Sequence, residues 1–131
     1  MDTTYRHKNT SVTAINYHFV FIPRRRRKVL IGEVEQRLKE LIYELSANIE
    51  AKVIALEIMP DHVHLFLNAP PDIAPDQIMF RIKGASSRYL RVEFPHLKKM
   101  PSMWTRSYFC STAGNVSSQT IERYIQNQKS T

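Results

Sequence analysis

The chain has 131 residues, 43% of them hydrophobic, which suits one domain with a buried core and leaves no length for a second. Nineteen Lys and Arg against twelve Asp and Glu give a net charge of +7 and an isoelectric point near 9.8, a balance that favours a polyanionic partner, most simply nucleic acid. One cysteine, Cys110, excludes an internal disulfide framework and fits a reducing cytoplasm, and no apolar run of signal-peptide or membrane-spanning length is expected.

The chain opens on polar and charged residues, and 1–12 is expected to form a flexible arm. Residues 14–22 then alternate. Ile15, Tyr17, Phe19 and Phe21 share one face, and Asn16, His18, Val20 and Ile22 the other, which is the period of a strand that Pro23 ends. His18 is a candidate further ligand, but the favoured reading is a strand histidine that hydrogen-bonds locally. Arg24, Arg25, Arg26, Arg27 and Lys28 follow directly. Adjacent cations repel, so a solvent-exposed loop is expected, placed to clamp phosphates. Between 33 and 49, Val34, Leu38, Leu41, Ile42, Leu45 and Ile49 make a helical stripe, with Glu33 and Glu35 in the first turn where the helix dipole favours anions.

Two further strands are expected over 53–59 and 62–68, joined by Pro60 and Asp61 as an antiparallel hairpin. In the second of them His62, His64 and Phe66 share a face, and Val63, Leu65 and Leu67 the other. With the apolar face buried, the opposite face presents two imidazoles side by side, a natural ligand pair for one divalent metal. The pair alone is a weak motif, and on spacing alone two ordinary polar residues on a solvated strand face are the favoured reading. Asp61 is either a carboxylate that orients a ligand histidine or a turn residue bonded to its own backbone.

A proline-rich loop ending at Pro75 leads into a helix over about 76–91, whose apolar side is expected from Ile78, Met79, Ile82, Ala85, Tyr89 and Val92. Arg81, Arg88 and Arg91 lie near one face with Lys83 offset, suited to tracking a nucleic-acid backbone or simply to solvent. Residues 103–112, with Trp104, Tyr108, Phe109 and Cys110, read as a last strand, and Cys110 as a small buried residue. Gly114 and Asn115 suggest a turn, after which Ser117 or Ser118 can cap a short final helix. There Ile121, Tyr124, Ile125 and Gln128 fall on one stripe, so the isoleucines would dock the helix and turn Tyr124 and Gln128 inward together. A buried glutamine amide needs partners.

The order strand, helix, strand, strand, helix, strand, short helix fits an α+β fold. The expected architecture is a ferredoxin-like antiparallel sheet with helices on one face, plus a short C-terminal helix carrying Tyr124, all one domain over 1–131.

Met-Pro-Asp-His-Val-His-Leu at 59–65, Ile-Lys-Gly-Ala-Ser-Ser at 82–87 and Tyr-Ile-Gln-Asn-Gln at 124–128 resemble the TnpA-type, single-tyrosine HUH transposases of small insertion sequences. The likeness extends to the first strand with its arginine run and to the spacing from Trp104 to Tyr108. No single motif is specific; the ordered set is. The resemblance implies a metal-dependent endonuclease and strand transferase acting on single-stranded DNA with hairpins near the ends of a mobile element. It implies Tyr124 as nucleophile, His62, His64 and Gln128 as ligands of Mg²⁺ or Mn²⁺, and a homodimer in which the histidine pair of one subunit faces the tyrosine helix of the other. Arg24, Arg25, Arg26, Arg27, Lys28, Arg81, Lys83, Arg88 and Arg91 are the candidate DNA contacts. Two alternatives stand beside it: a domesticated relative that cuts chromosomal hairpins, and a non-catalytic module binding single-stranded nucleic acid.

Overall fold

The computed structural model describes residues 5–8, 11–112 and 118–127. Its strands are β1 (Arg6–Lys8), β2 (Ser11–Thr13), β3 (Ile15–Phe21), β4 (Lys52–Met59), β5 (His62–Ala69) and β6 (Phe109–Thr112). Its α-helices are α1 (Gly32–Asn48), α2 (Pro75–Glu93) and α3 (Ser118–Asn127). Strands β4, β5, β3 and β6 form one sheet in that order, every neighbouring pair antiparallel. With α1 and α2 as the crossovers, this is the ferredoxin-like arrangement expected.

Alternation in β3 and β5 decides the layers. Phe19 lies opposite Leu65 and Phe21 opposite Val63, and with Leu67 these side chains are wholly buried. They meet Val34, Leu38, Leu41 and Ile42 of α1 and Ile78, Met79, Ile82 and Leu90 of α2 in one core. Each such side chain contributes roughly 1.5–3 kcal/mol on burial. The other face pairs Val20 with His64 and His18 with Phe66. There Val20 and Ile22 are covered by Ile125 of α3, with Phe109 and Tyr124 at the margin.

The helix ends follow local chemistry. Gly32 opens α1 with φ +58°, a conformation that a residue without Cβ adopts freely. Pro75 opens α2, where one backbone donor fewer needs a partner. The Gln77 side chain accepts the Ala74 N–H at 2.8 Å and so satisfies another. Between β4 and β5 the two-residue turn Pro60-Asp61 sets Met59 opposite His62 and thereby the register of the histidines.

Three expectations are corrected. Within the stretch expected as an arm, β1 pairs antiparallel with β2 as a small two-stranded sheet, and Arg6 Nη2 ties it to the Asn68 carbonyl at 3.0 Å. The last strand begins at Phe109, not 103, because the carbonyls of Thr105, Arg106 and Ser107 turn to Lys83 instead of a neighbouring strand. On α2 the buried stripe runs through Leu90, while Tyr89 and Val92 are exposed. The turn at Gly114 and Asn115 and the cap at Ser117 lie outside the described residues. Among the described residues no helix is long and apolar enough to cross a membrane.

Candidate active site

The β4–β5 hairpin places both histidines on the face away from α1 and α2, with ring centroids 5.0 Å apart. Each is held at Nδ1. Asp61 Oδ1 lies 2.8 Å from His62 Nδ1, and the same carboxylate receives Arg26 Nε on its other oxygen at 3.2 Å. A carboxylate only accepts, so His62 Nδ1 donates in this bond, which leaves Nε2 as the ring atom available to a ligand. Of the two readings of Asp61, the structure supports the orienting carboxylate.

His64 Nδ1 lies 3.0 Å from His18 Nε2. His18 is only 5% exposed and stacks on Phe66 with centroids 4.1 Å apart. Burial, and then the neighbouring His64, push its pKa down to about 4. Burial, and then His62, also lower that of His64, with Glu57 opposing. His18 and His64 are therefore neutral near pH 7, and one donates to the other. With the shared proton on His64 Nδ1, His64 also presents a free Nε2. Two imidazoles offering Nε2 lone pairs on one strand face are a donor set that fits a divalent ion. Gln128, the third expected ligand, lies outside the described residues; among the described residues no cluster of three or more His, Cys, Asp or Glu is placed to hold a metal.

Tyr124 lies on the same face of the sheet. Its ring packs on Phe109 at 5.8 Å, Phe109 meets His18 edge-on at 6.2 Å, and His18 stacks on His64 at 5.2 Å. An aromatic path thus joins the tyrosine to the histidine pair. The Tyr124 hydroxyl lies 2.9 Å from Ser107 Oγ. Burial raises its pKa, and hydrogen bonding with Ser107 and Thr105 pulls the other way. Ser107 and Thr105 carry no signal in the sequence pattern, since nothing in their spacing tells that α3 folds back over them. Cys110 is half-buried against the core with its pKa raised by burial, the reverse of an activated thiol.

The candidate DNA cations divide. Arg25, Arg27, Lys28, Arg81 and Arg88 are exposed. Arg24 instead donates to Ser102 Oγ at 3.2 Å, and Arg26 serves Asp61. The expected open loop is thus a folded 3-10 turn, Arg24–Arg26, with its first and last guanidinium groups engaged. Arg91 donates to the Met100 carbonyl at 2.9 Å. Lys83 is turned inward onto three carbonyls, and burial lowers its pKa to about 8.

A family model described as "Transposase IS200 like" matches residues 11–128. The ISDra2 transposase TnpA of Deinococcus radiodurans is 36% identical over 120 residues, spanning 89% of this chain and 86% of that protein. The transposase for insertion sequence element IS200 of Salmonella typhimurium is 30% identical over 115 residues, spanning 86% and 75%. A crystal structure of a candidate transposase from Deinococcus radiodurans superposes with a TM-score of 0.89 at 32% identity, over 96% of this chain and 99% of that one. A REP-associated tyrosine transposase bound to a REP hairpin shares the fold at a TM-score of 0.55 and 16% identity, over 92% and 67%. The chain belongs to the family of IS200-like transposases.

Proposed function

We propose that this transposase cleaves and rejoins single-stranded DNA beside hairpins at the ends of its element, with Tyr124 as nucleophile. The observation that carries the reading is the meeting, on one face of one sheet, of a tyrosine hydroxyl and two histidines whose Nδ1 atoms are already engaged. Tyr124 Oη attacks phosphorus, the bond from phosphorus to the 3′-oxygen breaks, and that oxygen leaves as a free 3′-hydroxyl once protonated. The product is a 5′-phosphotyrosine. A 3′-hydroxyl attacking the same phosphorus expels Tyr124 and joins strands, with the bond energy conserved in the linkage.

His62 and His64, with Gln128, would hold Mg²⁺ or Mn²⁺. Such an ion, when bound, neutralises phosphate charge and acts as a Lewis acid. Asp61 keeps His62 in the ligating tautomer, and His18 can do the same for His64. Exposed Arg25, Arg27, Lys28, Arg81 and Arg88 are the residues available to phosphates. The hairpin ligand is supported by the relative of like fold that is bound to one. The homodimer with active sites shared between subunits belongs to the same reading.

The test is incubation with hairpin-bearing single-stranded DNA and Mn²⁺. A protein–DNA adduct that survives denaturation is expected from the wild type and none from Tyr124→Phe. An adduct undiminished in Tyr124→Phe, or DNA binding with no cleavage at all, contradicts the reading; the latter outcome is what a binding module gives.

A further inference from the structure

The stretch from Trp104 to β6 is fastened to α2 at three places. Trp104 Nε1 donates to Ser86 Oγ at 3.1 Å. Lys83 Nζ donates to the carbonyls of Thr105, Ser107 and Arg106 at 2.7, 3.0 and 3.3 Å. The Tyr108 hydroxyl donates to the Asp76 carboxylate. Here the backbone bends around one ammonium, so that three successive carbonyls converge on it.

An ammonium has three N–H donors, and all three are matched by those carbonyls. None is left for a phosphate, which argues against the DNA contact expected of Lys83 from sequence. The same short stretch carries the hydroxyls that meet Tyr124. Ser107 Oγ lies 2.9 Å from Tyr124 Oη, and the Thr105 side chain bonds it as well. Thr105 is buried, and its own hydroxyl donates to the Ser107 carbonyl at 3.3 Å, so the loop is cross-braced on the tyrosine side too.

We propose that Lys83 is a positioning residue for the nucleophile: by gathering three carbonyls it fixes the loop on which the Tyr124 hydroxyl rests, and so sets where that oxygen stands. This rests on Tyr124 being the nucleophile. It makes one device of the 82–87 segment, the Trp104–Tyr108 segment and the tyrosine helix, three stretches far apart in the chain.

The experiment compares the full chain with Lys83→Met, Lys83→Arg and the exposed-helix control Lys39→Met. Tyrosines are labelled with ¹³C at Cζ, and Tyr124→Phe identifies the Tyr124 resonance, read without DNA or metal. Cleavage of hairpin DNA in Mn²⁺ is measured alongside. Lys83→Met is expected to shift the Tyr124 resonance and lower kcat about 100-fold, the scale of a displacement of about 1 Å, with KM for DNA and its salt dependence unchanged. Lys83→Arg is expected to shift the resonance as well, since a planar guanidinium cannot converge on three carbonyls as an ammonium does. Lys39→Met should leave both readings alone.

An unmoved Tyr124 resonance in Lys83→Met overturns the inference. So does a loss that appears in KM and the salt slope and that Lys83→Arg restores, the pattern of a DNA contact. If Lys83→Met does not fold, Ser107→Ala keeps the lysine and removes the hydroxyl; a resonance that stays put there overturns the inference equally. A wild type that forms no adduct contradicts the nucleophile reading itself, and the positioning role with it.

Discussion

The two faces of the sheet are made from alternate residues of the same strands, and opposite requirements govern them. On β5, Val63, Leu65 and Leu67 are fully buried against α1 and α2, while His62, His64 and Phe66 between them remain half-buried. The helix-covered face needs only apolar volume, so it tolerates many residues at a cost in packing. The histidine face needs particular atoms: a carboxylate at Asp61, a ring nitrogen at His18, a hydroxyl at Tyr124. One face holds the core; the other, on the proposed reading, holds the chemistry. A register slip of one residue would exchange them, which is why the two-residue Pro60-Asp61 turn matters to both.

The contrast between the faces is broken most severely at His64. His64→Ala is expected to abolish cleavage in Mn²⁺ while leaving the fold and hairpin binding in place, checked by gel assay and circular dichroism. Its neighbour Leu65 should behave in the opposite way. Leu65→Ala leaves a cavity between the sheet and the helices and is expected to cost about 2–5 kcal/mol in urea unfolding, with the folded fraction still cutting DNA.

A smaller effect follows from acid. His18 has its pKa held near 4 by burial, against about 6.5 in an unfolded chain. Between those values the unfolded chain binds a proton that the folded chain refuses, so stability is present above pH 6.5 and falls as pH falls towards 4. Urea midpoints of the metal-free protein at about pH 7 and about pH 5 measure this, and His18→Phe should flatten the dependence. An equal slope in that variant places the acid sensitivity elsewhere.

The smallest effect separates the cations. Neutralising Arg25, Arg27 and Lys28 together is expected to make log K for hairpin DNA less steep against log salt, by roughly one unit for each phosphate no longer neutralised. Arg24→Ala should not change the slope, because its guanidinium is turned onto Ser102.

The helix-covered face was legible because burial writes itself as a period. Phe19 and Phe21, Val63 to Leu67, and the stripe Val34 to Ile42 each repeat at the spacing of their element. His62 and His64 were legible by the same alternation, and the resemblance drew attention to Tyr124. What pattern could not supply is where a polar group finds its partner. The arginine run reads as uniform charge, yet Arg24 and Arg26 are engaged by Ser102 and Asp61 from distant parts of the chain. Residues 103–108 read as strand because Trp104 and Tyr108 are aromatic, yet the ammonium of Lys83 claims the carbonyls of Thr105, Arg106 and Ser107. Arg6 is a surface cation by composition, and its bond to the Asn68 carbonyl ties the first hairpin to the sheet. Such bonds depend on tertiary proximity, which leaves no period in the chain.

The measurement that tests the account most directly is peptide mapping of the trapped protein–DNA adduct. Tyr124 sits on the histidine face with its hydroxyl anchored, while Tyr108, bonded to Asp76 and with its pKa pushed up to about 12, is held as a donor on the other side of the loop. The account expects the 5′-phosphate on the peptide that contains Tyr124 and on no other. DNA attached to Tyr108, or to any residue besides Tyr124, would contradict it.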